Sequence, residues 1–208
     1  MMQQTPRQKT KSALIKAAQR LFAEKGIGTV SVKEITLAAG ARNPSAVHYH
    51  FGNLETLIKE VFTQRYNQIE QSRLARIAQL DVQAAAHPVV ELLTAGLGPL
   101  FEACLEEDGR LYARFCVQLA ADPRFEMQDL IEDLGMTSIP SLRTRIAAIL
   151  THLPDHVLQM RFRQALSISL MQSSQFAERV EAKTAEPVEQ AIREAAVTLA
   201  GYLSAERV

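Results

Sequence analysis

The chain has 208 residues, room for one large or two small domains, and its 23 Lys+Arg balance 23 Asp+Glu. No apolar N-terminal run marks a signal peptide, and no segment approaches the ~20 apolar residues of a membrane span. A soluble, cytoplasmic protein without a membrane partner is expected. The overall neutrality hides a partition: residues 1–52 hold eight basic and two acidic residues, a net of +6, which leaves −6 for the rest. A basic head on an acidic body suits a protein whose head alone meets a polyanion.

Residues 1–8 are polar and expected to be mobile, with Arg7, Lys9 and Lys11 available to touch phosphate. Helix 1 is expected from Gln8 to Lys25. Leu14, Ala17, Ala18, Leu21 and Phe22 form its apolar stripe, and Gly26 ends it. Ser31 and Glu34 have capping-box spacing and open a short helix with Val32, Ile35 and Ala39 on one face, closed by Gly40. Asn43 as N-cap and Pro44 at the first helical position are expected to start helix 3. Two short helices around a glycine-containing turn of about four residues form a helix-turn-helix pattern. Val47 and Phe51 anchor the second helix inward, which leaves Ser45, His48 and Tyr49 on another face. An ordinary helical corner of a core is the bland alternative. It fits poorly, because this helix is short and its outward side chains are hydrogen-bonding groups rather than the Lys and Glu of a solvated face.

Four motifs occur here in a fixed order: AAQRLFAEKG at 17–26, TVSVKEI at 29–35, AAG at 38–40, and YHFG at 49–52 with Glu55 and Leu57-Ile58 after it. This first quarter of the chain resembles the N-terminal domain of TetR-family transcriptional repressors. The resemblance implies an all-α protein of about nine or ten helices. A three-helix DNA-binding domain would occupy residues 1–52, a connecting helix 53–80, and a helical-bundle ligand-binding and dimerisation domain 81–208. Two departures stand out. Leu54 replaces a lysine the family usually carries, and His48 stands where many members have an aromatic residue.

Helix 3 is then expected in the major groove, with Ser45 and His48 against base edges and Arg42 or Asn43 as further candidates. Arg42 suits either a guanine or a phosphate. By resemblance, Tyr49 and His50 bind phosphates, and Ser31 and Lys33 do so from the other side of the groove. A homodimer would read a near-palindromic double-stranded operator with half-sites about 34–36 Å apart or somewhat more.

Asn53 is the expected N-cap of helix 4, whose inward face carries Leu57, Ile58, Val61, Phe62, Tyr66 and Ile69 and runs to about Leu80. His87-Pro88 marks the next break. The body reads as successive helices. Val89 to Leu105 carries an apolar pattern with a kink or break expected at Gly96, Gly98 and Pro99. Segments 111–121 and 126–134 follow, Gly135 and Pro140 interrupt, and 142–150 resumes. Helices from Pro154 to about Ala182 and from Pro187 to about Ser204 complete the chain. No strand alternation and no internal repeat is seen.

Family resemblance assigns the last two helices to a dimer interface, with Leu166, Leu170, Ile192, Ala195, Ala196 and Leu199 as its residues; an intramolecular core is the alternative. It also implies a small-molecule effector that enters the body and shifts helix 4. An apolar pocket is expected from Leu97, Phe101, Cys104, Phe115, Leu119, Phe125, Met127, Phe162 and Met171. With no tryptophan and few aromatics, a lipophilic metabolite or acyl chain suits as well as a flat multi-ring compound.

Enzyme chemistry finds no support. The sequence has no GxSxG, no phosphate-cradling glycine loop, no HExxH and no CxxC, so no catalytic residue, metal or cofactor is assigned. His48 and His50, two apart on a helix, point in different directions. Glu106, Glu107 and Asp108 read as a solvated helix end, and His152 and His156 as surface residues. Cys104 and Cys116 are expected to be buried free thiols. The remaining alternative is a helical-bundle interaction protein whose N-terminal corner binds protein rather than DNA. Salt separates the two readings, since counterion release makes DNA binding steeply salt-dependent.

Overall fold

A computed structural model describes residues 5–206, and all of its regular elements are helices. They are α1 (Pro6–Lys25), α2 (Val32–Ala38), α3 (Ala46–Phe51), α4 (Leu54–Gln79), α5 (Pro88–Ala103), α6 (Glu107–Ala121), α7 (Met127–Asp133), α8 (Ser138–Ala147), α9 (Asp155–Glu181) and α10 (Val188–Ser204). No single helix among the described residues is long and apolar enough to cross a membrane.

Helix ends follow local chemistry. α1 begins earlier than the sequence pattern suggested, because Thr5 and Gln8 form a capping box and Pro6 sits at the first helical position. Residues 6–8 therefore belong to the first turn of a helix; residues 1–4 of the expected mobile tail lie outside the described region. α2 has the expected Ser31–Glu34 capping box. It closes with Gly40 at φ 63°, where Gly40 N–H donates to the Leu37 carbonyl and Ala41 N–H to the Thr36 carbonyl, a Schellman arrangement. Asn53 Oδ1 accepts from the Thr56 N–H at 2.8 Å and caps α4.

Two expectations about breaks are overturned. α5 runs unbroken through Gly96, Gly98 and Pro99. Its glycines serve close approach instead: Leu142 of α8 lies over Gly96, and the Arg76 guanidinium of α4 over Gly98. Packing on α4, α8 and α10 holds the helix despite the donor that Pro99 lacks. Likewise Pro140 lies inside the first turn of α8, which starts at Ser138 rather than Leu142. Leu105, the last residue of the 89–105 apolar pattern, is 52% exposed in the tight α5–α6 turn. At that turn a Cβ on Gly109 would collide with the Ala103 carbonyl, so only glycine allows the approach.

One apolar cluster joins the head to the body. Leu14, Phe22, Ile35, Val47 and Phe51 pack together with Leu57, Ile58 and Val61 of α4 and with Tyr112, Phe115 and Leu119 of α6. The small three-helix head thus gains the supporting surface it lacks alone. Phe22 and Phe115 stack at 5.9 Å, Gln19 donates to the Asp108 carbonyl at 2.9 Å, and Arg20 pairs with Glu107 at 2.9 Å. The acidic run 106–108 thus sits at the N-terminal end of α6, where the helix dipole favours it, and holds the head from below. A second cluster fills the body around Leu92, Phe101, Ile146, Phe176, Ala196 and Leu203. Cys104 and Cys116 are buried and free, and burial pushes both thiols up to about 12.

Candidate nucleic-acid interface

The helix-turn-helix closes differently from the sequence expectation at one point. Asn43 does not cap α3 and Pro44 does not open it. Asn43 Oδ1 accepts from the Ser45 N–H at 2.9 Å, an Asx turn that holds Pro44 and Ser45 in the link, and α3 starts at Ala46. The helix has only six residues. Ala46, Val47 and Phe51 are buried and pin it to the core, so His48 and Tyr49 point away from the protein while His50 is half-buried.

Ser45, His48 and Tyr49 are exposed at spacing i, i+3 and i+4, hence on one face, and Tyr49 is 64% exposed. Ser45 makes no side-chain capping bond, so its hydroxyl is available. His48 Nδ1 lies 2.7 Å from the Gly52 carbonyl. A carbonyl only accepts, so Nδ1 carries the proton, and in the neutral ring Nε2 is left as an acceptor. Asn43 spends its amide oxygen on the turn and keeps its NH₂. Arg42 is exposed and forms no ion pair among the described residues.

The surrounding cations divide in two. Lys11 pairs with Glu60 at 3.1 Å, Arg20 with Glu107, and Lys25 with Glu34 at 3.1 Å. Arg7, Lys9, Lys16, Lys33 and Arg42 are exposed without such partners among the described residues. Arg7 is part of α1 rather than of a loose arm, and its guanidinium lies 5.4 Å from the Tyr49 ring. His50 is half-buried edge-on to Tyr49, at 5.0 Å. Burial, with the Arg7 and Lys11 charges, pushes its imidazole below the usual histidine range. Ser31 is exposed, but its hydroxyl already donates to Glu34 Oε2 at 2.9 Å. The Ser31 backbone and side-chain hydrogen bonds, with Lys25 beside them, hold the Glu34 carboxyl at about 2. Ser31 therefore has no free hydrogen for a phosphate while this cap persists, whereas Lys33 does. Leu37, 79% exposed on α2, is an outward apolar side chain that the sequence pattern did not single out.

In the body, a cavity of about 70 Å³ is lined by residues of α4 to α10. Leu97, Met127 and Phe162 line it as expected from sequence. The other nominated residues sit elsewhere. Phe101, Cys104, Phe115, Leu119 and Phe125 are packed core, and Met171 is 55% exposed on the outer side of α9. The sequence reading missed that α4 supplies a whole wall: Phe62, Tyr66, Ile69 and Arg73. A buried polar cluster stands behind that wall. Arg73 Nε donates to the Gly96 carbonyl at 2.7 Å, and its Nη1 lies 3.1 Å from Ser138 Oγ. Glu70 accepts the N–H groups of Thr137 and Ser138, each at 2.8 Å. The signal was present as two charged residues, four and seven positions beyond the inward Tyr66, on a helix face that is otherwise apolar.

The residues expected at a dimer interface sit in or beside the chain's own core. Ile192, Ala195, Ala196 and Leu199 are buried within the single chain, where the small residues of α10 let it pack closely on α5. Leu166 and Leu170 are half-buried and line the cavity. The outward apolar residues of these two helices are Met160, Met171 and Val197.

Residues 14–61 match the model of bacterial regulatory proteins of the tetR family, and residues 94–205 match that of tetracyclin repressor-like C-terminal domains. None of the curated proteins matches the chain in sequence. Several solved structures share the fold. A TetR family transcription regulator from Marinobacter aquaeolei VT8 is 16% identical, with a TM-score of 0.63 over 93% of this chain and 95% of that one. The fatty acid degradation regulator FadR from Bacillus halodurans is 14% identical, with a TM-score of 0.64 over 91% and 97%. A putative regulator from Shewanella sp. PV-4 is 17% identical, with a TM-score of 0.61 over 92% and 95%. The second family match alone spans more than half of the chain, and it continues the helix-turn-helix match in the expected order, so this protein belongs to the TetR family of transcription regulators.

Proposed function

We propose that the protein is a homodimeric repressor that binds a near-palindromic operator and is released by a small lipophilic effector. The observation that carries the DNA-contact reading is the exposed Ser45–His48–Tyr49 face, set among cations that form no ion pair among the described residues. In this reading Ser45 and His48 face base edges, with Arg42 and the Asn43 amide beside them. Tyr49, His50, Lys33 and Arg7 hold phosphates, and Ser31 joins them only by giving up its bond to Glu34. Residues 1–52 act as the DNA-binding unit, 53–80 as the connector and 81–208 as the regulatory body.

Dimerisation is assigned to the outer sides of α9 and α10, around Met171 and Val197, since the inner sides are used within the chain. The release step runs through α4, which forms a cavity wall and also packs on α1 and α3. The cavity is small, so an effector must push its walls apart, and a displaced α4 carries the head with it. A ligand shifts the balance only through its differential affinity for the two arrangements. RolR, which shares this fold at 19% identity and a TM-score of 0.52, has been seen with resorcinol bound, which supports a ligand role for such bodies.

Selection of bound sequences from random duplex tests the reading. The expected outcome is a two-fold symmetric consensus, with affinity falling steeply as salt rises. Salt-insensitive binding, or an absence of enrichment, would instead favour a head that binds protein.

A further inference from the structure

The cavity is apolar on nearly every side, with Phe62, Leu97, Ile131, Leu142, Phe162 and Leu170 among its walls. One cation enters this wall and no carboxylate does: Arg73, 5% exposed. A guanidinium stays charged wherever it is placed, so burying one without a direct ion pair is costly. Arg73 bonds only neutral acceptors, namely the Gly96 carbonyl, the Tyr66 hydroxyl at 3.3 Å and Ser138 Oγ. Its Nη2 makes no hydrogen bond among the described residues. Glu70 is linked to Arg73 only through Ser138 Oγ, which accepts from Arg73 and donates to Glu70; the two make no direct ion pair, and the Glu70 oxygens are taken by α8 amides and that hydroxyl. The other wall hydroxyls are engaged as well: Tyr112 donates to the Phe62 carbonyl at 3.1 Å, and Ser169 to the Leu166 carbonyl of its own helix at 2.7 Å.

We propose that the effector is a monocarboxylic acid with a slender apolar tail, its carboxylate held by Arg73. A carboxylate can accept from the free Nη2–H groups of Arg73, and the dry walls strengthen the pair. With about 70 Å³ open before any wall moves, a slender single chain displaces the walls least. Arg73 lies on α4, so the head of such a ligand acts directly on the helix that carries the DNA-binding unit. The way in is a groove that shares Ile131, Ile139, Phe162 and Leu166 with the cavity and is rimmed by Gln128, Glu132, Arg143 and Gln159. This assignment rests on the ligand-responsive reading given under Proposed function.

Calorimetric titration of the full chain with octanoate, 1-octanol and octylammonium tests the proposal. Octanoate should bind at least about ten-fold more tightly than octanol, and octylammonium should not bind. Arg73→Gln should bring octanoate down to the octanol level while leaving octanol unchanged, and Arg143→Gln should leave both unchanged. Should Arg73→Gln fail to fold, the three-ligand series on the wild type still decides. Equal affinity for octanoate and octanol, no heat from octanoate at millimolar concentration, or a loss confined to the Arg143 variant would overturn the assignment. Anisotropy of a labelled operator separates this from the broader reading. Octanoate that binds without releasing DNA supports the Arg73 site and removes only effector-driven release. Release by octanol as readily as by octanoate keeps effector-driven release and rejects the acid.

Discussion

The carboxylate of Glu70 on α4 accepts the backbone N–H of Ser138, the first residue of α8, at 2.8 Å. One helix thereby caps another across 68 residues of sequence, and α8 has no cap from its own N-cap residue Thr137. The contact ties the cavity wall to the connector helix.

Removing the Glu70 carboxylate strands buried amides at the start of α8. Glu70→Ala should cost about 2–4 kcal/mol of stability and Glu70→Gln less, since the amide still accepts. Burial pushes the Glu70 carboxyl up, but hydrogen bonds from Ser138, Thr137 and Tyr66 together outweigh it and leave it below its ordinary value. Stability from this group is therefore present above the ordinary carboxylate range and lost as pH falls through the lower folded value. Urea melts between roughly pH 7 and pH 3 should show a shallower acid loss for Glu70→Gln than for the wild type. An identical acid limb in both proteins would reject the capping role.

His48 and Tyr49 are neighbours with different expected effects. His48→Ala removes the outward Nε2 acceptor and should relax the preferred base at one position per half-site, by about 1–3 kcal/mol of discrimination. Tyr49→Phe removes only a hydroxyl from a residue assigned to phosphate, so it should weaken binding several-fold, equally on operator and random duplex. Competition binding against single-base operator variants measures both. If the two substitutions swap these effects, α3 is rotated relative to the groove from its assigned position.

His50 should make DNA binding pH-dependent. Burial and the nearby Arg7 and Lys11 charges favour its neutral form in the free protein. A phosphate beside it favours the imidazolium, so binding takes up a proton, and affinity should rise as pH falls through the histidine range. His50→Gln should flatten that dependence when anisotropy is recorded across it. Matching pH profiles for variant and wild type would place His50 away from the backbone.

Features that close within a few residues were legible in the sequence. The Ser31–Glu34 box, the Gly40 stop and the Asn53 cap each satisfy backbone groups three to five positions away, so residue type and spacing suffice. The outward Ser45–His48–Tyr49 face followed from the same logic, because Val47 and Phe51 leave a six-residue helix one way to sit. Tertiary structure decided what depends on distant partners. Ile192, Ala195 and Ala196 suit a neighbouring subunit as well as their own chain, and only the packing of α10 on α5, some 100 residues earlier, settles which. Arg73 and Glu70 read as ordinary helix charges until Gly96, Thr137 and Ser138 are brought around them. A helical period marks a stripe as apolar but carries no information about what covers it, and a charge is costly or useful according to neighbours that the local sequence does not contain.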